Sequence, residues 1–263
     1  MNALADARLA SASLSNYPVD EPVGPVWYAE ITMLSRRALL LATMTAALGR
    51  GLARPDIARA SAAGTTVEDW SQTTLGARGV PPGWEKYATP RGNPAYDFTV
   101  VEDGGRRALA LRSAGDRSTI AHPVQVDLGA TPVLTWQWKV ERLPSGADLR
   151  ERATSDATGH LFVIWPRFPA LLRSRLVGYV WDRALPVGTI VNSTKTATVT
   201  FVVVRSGEAG LGRWTEERHD VVADHRRIFG EAPEAPGAIA LSIDTNDTRS
   251  TAEARFGRIG FSA

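Results

Sequence analysis

The stretch Leu134-Thr135-Trp136-Gln137-Trp138-Lys139-Val140-Glu141 alternates apolar and polar side chains at every step. Successive side chains of a strand point to opposite faces, so Leu134, Trp136, Trp138 and Val140 share one face and Thr135, Gln137, Lys139 and Glu141 the other. Two tryptophans about 7 Å apart on one face would make a platform for a sugar ring. Leu134 and Val140 complete the same stripe, however, and such a stripe is the mark of a core face. The pattern therefore predicts tryptophans pointing inward, with Gln137 and Lys139 presented to solvent or ligand.

The same period recurs on both sides of this stretch. Residues 107–112, 119–128, 133–141, 160–165, 176–182, 196–205, 238–244 and 254–261 read as strands. Turn signals punctuate them at Asp103-Gly104-Gly105, Pro144-Ser145-Gly146, Ser206-Gly207 and Asn246-Asp247. One short helix is predicted over residues 224–229, capped by Asp224 and ended by Gly230. Strands without intervening helices argue against a parallel βαβ sheet and predict an all-β fold, an antiparallel, jelly-roll-like β-sandwich forming a single domain over residues 64–263. The charged connections 143–158 and 206–218 would lie at its rim, where function tends to sit.

Composition narrows the partners. The 263 residues carry 30 Lys plus Arg against 28 Asp plus Glu and form no long run of one sign, which argues against nucleic acid. The absence of cysteine excludes disulfides, thiolate metal sites and cysteine nucleophiles. Missing too are a Gly-x-Ser-x-Gly elbow, an HExxH pair, a phosphate-cradling Gly-rich loop and a dinucleotide fingerprint, so no cofactor is expected.

Before residue 64 the chain reads as an address. Arg36 and Arg37 precede the uncharged run 38–49, which is followed by Arg50, Arg54, Arg59 and the small-residue stretch 58–63. Basic, apolar and small segments in that order make a signal peptide, and the run of 12 is too short to span a bilayer. Ser35-Arg36-Arg37-Ala38-Leu39 resembles the twin-arginine export motif. Residues 33–62 are read as that signal, starting at Met33 and cleaved after Ala60 or Ala62. Residues 1–32 are then a mis-called start or a non-structural leader. A periplasmic or secreted protein without a transmembrane segment is the expectation. An apolar stripe of Leu39, Leu40, Leu41, Met44, Leu48 and Leu52 on a buried amphipathic helix is the other reading of this segment.

Several stretches are candidates for chemistry. The polar face proposed for ligand binding comprises Gln137, Lys139, His160, Tyr179, Arg205 and Asp244, with His160 beside Phe162 and Ile164 and near Tyr179 and Trp181. Trp165, Phe168, Leu171 and Leu172 fall in a segment broken by Pro166 and Pro169, a candidate partner loop or a lid over one end of the sandwich. Asp244, Asn246 and Asp247 supply oxygens of hard-cation type but lack the spacing and closing Glu of a Ca²⁺ loop, so no metal is expected. His219 and His225 have no third ligand, and Asp156, Asp182, Glu217 and Asp244 would have to converge in space to act as a carboxylate pair.

Taken in order, Trp136-Gln137-Trp138-Lys139, Tyr179-Val180-Trp181, Arg205-Ser206-Gly207, Gly212-Arg213-Trp214, Glu217-Arg218, the run from Asp224 to Gly230, the run from Asp244 to Thr248 and Gly257-Arg258-Ile259 resemble a family of bacterial exported proteins called domain of unknown function 3047. The resemblance spans roughly residues 67–262. It implies the domain boundaries and the β architecture, and no activity. An acidic pair and an Arg usual near residues 155–160 are replaced here by Ser155-Asp156 and His160. The functional expectation is a non-catalytic exported module binding a glycan or similar polar ligand. The alternatives are an enzyme acting on envelope polysaccharide through carboxylates or a His and Tyr pair, and an envelope assembly partner docking through Trp165 to Leu172.

Overall fold

The computed structural model describes residues 64–87 and 97–263. The inferred leader, with Arg36, Arg37 and the boundaries at residues 32 and 62, lies outside the described residues. No helix among the described residues is long and apolar enough to cross a membrane.

The strands, numbered along the chain, are β1 (Thr65–Glu68), β2 (Glu85–Lys86), β3 (Phe98–Asp103), β4 (Arg106–Ala114), β5 (Arg117–Pro123), β6 (Val133–Arg142), β7 (Ala157–Trp165), β8 (Arg175–Asp182), β9 (Ile190–Asn192), β10 (Val199–Ser206), β11 (Thr215–Asp220), β12 (Ala238–Asp244) and β13 (Thr251–Ser262). They form two sheets, giving a β-sandwich. Sheet A runs β11-β6-β13-β4-β3, with β1 also paired to β13, and sheet B runs β2-β5-β12-β7-β8-β10-β9. Pairing is antiparallel except between β8 and β10, which are parallel. The chain returns between those two through residues 183–198, and β9 lies antiparallel on the outer edge of β10.

The core between the sheets is aromatic. Trp136 and Trp138 point inward, their rings edge-on at 5.8 Å, and meet Tyr179 at 5.4 Å and Trp181 at 5.7 Å from the opposite sheet. Trp70, Trp136, Trp138, Trp181, Tyr179, Phe98, Phe256 and Phe261 are all fully buried, so their apolar area supplies most of the driving force for closing the two layers.

Sheet B is apolar on both faces. Every position of β7 is buried, and Phe162, Ile164, Val180, Phe201 and Val203 form a second cluster on its outer side with Leu149 and Leu185. The segment before β7 covers that side: it makes a single 3-10 turn (Arg152–Thr154). Arg152 donates to the carbonyl of Thr194, and Lys195 donates to that of Ser155 at 3.4 Å.

The described residues also include two helices, α1 (Ala170–Arg173) and α2 (Val221–Phe229). The predicted helix is present but starts earlier, because Asp220 is the cap. Its carboxylate accepts from the backbone N–H groups of Val222 and Ala223, both at 2.9 Å. Asp224 instead turns inward to Tyr179. Gly230 closes the helix in the left-handed conformation, at φ 77°, as expected.

Candidate functional site

The outer face of sheet A is polar, and its residues follow from the alternation of its strands. Gln137, Lys139 and Glu141 come from β6, Glu253 and Arg255 from β13, Arg106 and Arg112 from β4, Asp103 from β3 and Glu216 from β11. Lys139 Nζ lies 2.8 Å from Asp103 and 2.9 Å from Glu141. Arg255 lies 2.6 Å from the same Asp103 oxygen and 3.0 Å from Glu141. Arg112 pairs with Glu253 at 3.1 Å, and Gln137 donates to Glu216 at 3.1 Å.

This network has a geometric consequence. On a flat sheet β3 would lie about 14 Å from β6, three strand spacings away. Lys139 and Asp103 cannot span that distance together, so the tip of the β3–β4 hairpin curls over the face toward β6. Ala108 and Ala110 lie beneath it and are buried although they belong to the outer side. The curl makes this face concave, a trough in which a layer of paired charges lies over small buried residues.

Trp214 closes one end of the trough. Its ring packs against Gly257, where a Cβ would lie 3.4 Å from the ring and 3.2 Å from both Cβ and Oε1 of Gln137. The glycine is what makes room for the indole. Arg106 places its guanidinium carbon 5.8 Å from the centre of the Trp214 ring, a cation–π distance. At the other end a cavity of about 300 Å³ opens, lined among others by Arg112, Arg142, Thr251 and Glu253. Trp214 is only partly buried.

Lys139 and Asp103 reinforce each other's charge. Its hydrogen bond to Asp103 raises the pKa of Lys139, and its hydrogen bond to Lys139 lowers that of Asp103. Lys139, Arg255 and Arg112 are each offset by a neighbouring carboxylate, while Arg106 lies over Trp214, so the face offers many hydrogen-bond donors and acceptors and little net field.

The six residues predicted for the ligand face fall in five places. Gln137 and Lys139 are in the trough, half-buried. His160 lies on the outer side of sheet B, stacked on Phe162 at 5.3 Å and covered. Tyr179 points the other way, into the core, because β7 pairs His160 with Val180 and so puts its neighbour Tyr179 on the opposite face. The expected proximity of His160 to Tyr179 and Trp181 is therefore corrected. Arg205 sits in the gap between the sheets, paired with Glu217.

Asp244 occupies the end of sheet B near Asp156 and Lys195. There the carboxylate of Asp156 accepts from the N–H groups of Asp247 and Thr248 and from the Thr248 hydroxyl. Lys195 pairs with Asp247, so an ammonium occupies the position that a cation would need beside Asp244, Asn246 and Asp247. No group of three or more metal-ligating side chains is assembled among the described residues. Asp182 caps the turn after β8, and Glu217 is remote from Asp156 and Asp244, so those four carboxylates do not form one catalytic group.

Burial pushes His160 down to about 4, and its Nδ1 has no partner among the described residues. Burial likewise pushes Asp244 up to about 7. A third polar group lines the inward side of β11. The Tyr179 hydroxyl donates to Asp224 at 2.9 Å, and His219 Nδ1 lies 3.4 Å from the same oxygen. Burial, then Asp224, raises the Tyr179 pKa well above its ordinary value.

In the predicted partner loop, Trp165 is the last residue of β7 and is buried, its indole donating to the carbonyl of Glu234. Phe168 and Leu172 are 81% and 77% exposed, and the side chain of Leu171 lies outside the described residues. Sequence reasoning missed Trp214, Asp103 and Arg255 as a group. Their meeting depends on a curl that brings distant strands together, and a lone tryptophan after two glycines was the only local signal.

Among solved structures, the chain is similar to the family 11 carbohydrate-binding module of the cellulosomal cellulase Lic26A-Cel5E of Clostridium thermocellum, at 8% identity and TM-score 0.39, over 76% of this chain and 95% of that one. It is similar also to a family 29 carbohydrate-binding module, at 10% identity and TM-score 0.34, over 76% of this chain and 88% of that one. No curated protein matches. The model of the family described as protein of unknown function (DUF3047) matches residues 82–260, and the chain belongs to that family.

Proposed function

We propose that this protein is an exported, non-catalytic binding module that holds an extended, uncharged polyhydroxylated ligand, such as a neutral glycan, in the trough on sheet A. The observation that carries the reading is the placement of Trp214 on Gly257 at the head of a row of paired charges. An indole face packs against the C–H face of a pyranose, and each ion pair offers both a donor and an acceptor to hydroxyl groups. A polyanion would find no unbalanced positive field there. Export rests on the order of segments around Arg36 and Arg37.

Titration calorimetry of the full chain with a soluble neutral β-glucan, a galactomannan and a polyuronate tests this. Binding to at least one neutral polymer, weakened about tenfold or more by Trp214→Ala and reduced by Gln137→Ala, is the expected result. Binding confined to the polyuronate, or indifferent to both substitutions, rejects the site.

One observation favours a second, enzymatic reading: the carboxylate of Asp224 holds His219 and Tyr179 in a relay that resembles a general-base arrangement. It ranks second because Tyr179 is fully buried and its proton is committed to Asp224. Release of reducing ends from an envelope polysaccharide, abolished by His219→Ala with the fold intact, would promote it over the first.

A further inference from the structure

The turn between β7 and β8 carries the two most exposed large apolar side chains among the described residues, Phe168 and Leu172. They project from a firmly hydrogen-bonded support. Ser174 Oγ accepts from the Arg167 N–H and lies 3.4 Å from its carbonyl, closing the base of the turn. The N–H groups of Leu172 and Arg173 both donate to the carbonyl of Pro169, and the Arg173 guanidinium donates to that of Phe168. The backbone beneath this exposed apolar pair is already ordered, so covering the pair costs side-chain freedom alone.

The base of the turn is cationic. Arg167 and Arg175 share the single carboxylate of Glu231, at 3.2 and 2.6 Å. Arg173 and Arg226 meet no carboxylate at salt-bridge distance among the described residues, and Arg226 belongs to the end of α2 that packs His225 on Trp165 at 4.8 Å. Arg167, Arg173 and Arg175 thus stand on the turn and its flanks against the one carboxylate of Glu231, and Arg226 is exposed on the neighbouring helix.

We propose that this turn is an interfacial anchor that docks the domain on an anionic lipid bilayer, with Phe168 and Leu172 entering the boundary of the acyl chains and Arg173 and Arg226 lying among the lipid headgroups. The shape and charge select that occupant. Two side chains on a convex turn present on the order of 300 Å², well short of the roughly 800 Å² per partner of a stable protein interface. Apolar tips ringed by arginine suit a surface whose interior is hydrocarbon and whose rim is negative. The site is separate from the trough and does not depend on the ligand proposed there.

Because the chain has no cysteine, one environment-sensitive fluorophore can be placed at will in the full chain. Attached at Phe168→Cys, it should shift to the blue on vesicles of phosphatidylcholine with about one third phosphatidylglycerol, and shift far less on phosphatidylcholine alone. The same label at Arg112→Cys, on the opposite end of the sandwich, should not respond. In sedimentation with the mixed vesicles, Phe168→Ser with Leu172→Ser should lower the bound fraction of the full chain about tenfold. Arg173→Gln should lower it on mixed but not on neutral vesicles. These side chains are exposed, so the variants keep the fold, which circular dichroism verifies. An unresponsive Phe168 label, equal binding by the double variant, or a concentration-dependent dimer that the double variant abolishes would each overturn the proposal.

Discussion

Arg205 and Glu217 clasp each other across the gap between the two sheets, Nε to Oε1 at 2.7 Å and the terminal nitrogen to Oε2 at 3.3 Å, while the Trp138 indole donates to the same Oε1 at 3.0 Å. The two partners are unequal, for Glu217 is nearly buried and the Arg205 side chain is 41% exposed. Glu217→Ala leaves a buried indole N–H and a guanidinium unpaired and should cost about 2–4 kcal/mol. Arg205→Ala, screened by solvent, should cost about 1 kcal/mol or less. Urea titrations of the two variants check the asymmetry, and equal losses would contradict it.

Gly178, in the middle of β8, is a matter of space. A Cβ there would fall 2.5 Å from Cε1 of Phe162 and 3.1 Å from Cδ1 of Phe201, with no positive φ involved. Gly178→Ala should therefore destabilise by about 1–3 kcal/mol through overpacking. Phe162→Leu in the same chain should recover part of that loss, a coupling that a double-mutant cycle measures.

His160 and Asp244 bring opposite pH dependences. The unfolded histidine takes up its proton near 6.5 and the folded one only near 4, so its contribution is complete above 6.5 and is lost as pH falls toward 4. The folded Asp244 keeps its proton to about 7 against 3.8 unfolded, so its contribution is complete below 3.8 and is lost as pH rises toward 7. Between pH 4 and 6.5 the two slopes oppose each other. Asp244→Asn should make stability climb with pH across that window, and His160→Phe should make it decline, each by up to about 3 kcal/mol. Urea midpoints taken at half-unit pH steps give the sign directly.

Asp156, 1% exposed, holds residues 247 and 248 through three hydrogen bonds. Asp156→Ala should cost about 2–4 kcal/mol and raise amide exchange first at residues 245–250. Hydrogen exchange by mass spectrometry resolves that segment. Protection there unchanged from wild type would show that the turn holds itself.

Gly257→Val should separate binding from folding. The added methyls would crowd Gln137 and displace Trp214 from the trough, at a stability cost of about 1–3 kcal/mol. Binding to a neutral glycan should fall to the level of Trp214→Ala. Retention of wild-type affinity would mean that the indole is not the platform.

The eight strands expected from alternation are all present; β12 agrees at both ends and the others differ by a few residues, the largest change being at β5, which stops at Pro123. The strands that escaped notice are informative. β11 reads Thr-Glu-Glu-Arg-His-Asp and shows no apolar period, because its inward residues Glu217 and His219 are polar and find partners in Trp138, Arg205 and Asp224. β7 was legible over residues 160–165 although every one of its positions is buried, since sheet B is covered on both sides. Gln137 and Lys139 were legible as outward-facing from a single strand. The remainder of the trough was not, since Asp103, Trp214 and Arg255 reach it through pairings that no local pattern encodes.

β1 lies antiparallel to the last residues of β13, Thr65 opposite Phe261 and Thr66 opposite Gly260. The polypeptide therefore enters the sandwich and leaves it at one corner. A tether on either side holds the domain in nearly the same pose, and a brief bridge between the two ends would let the molecule be reopened at the Asp103–Gly104–Gly105 hairpin with its architecture kept. Synthesis order and finished shape are, for this chain, separable properties.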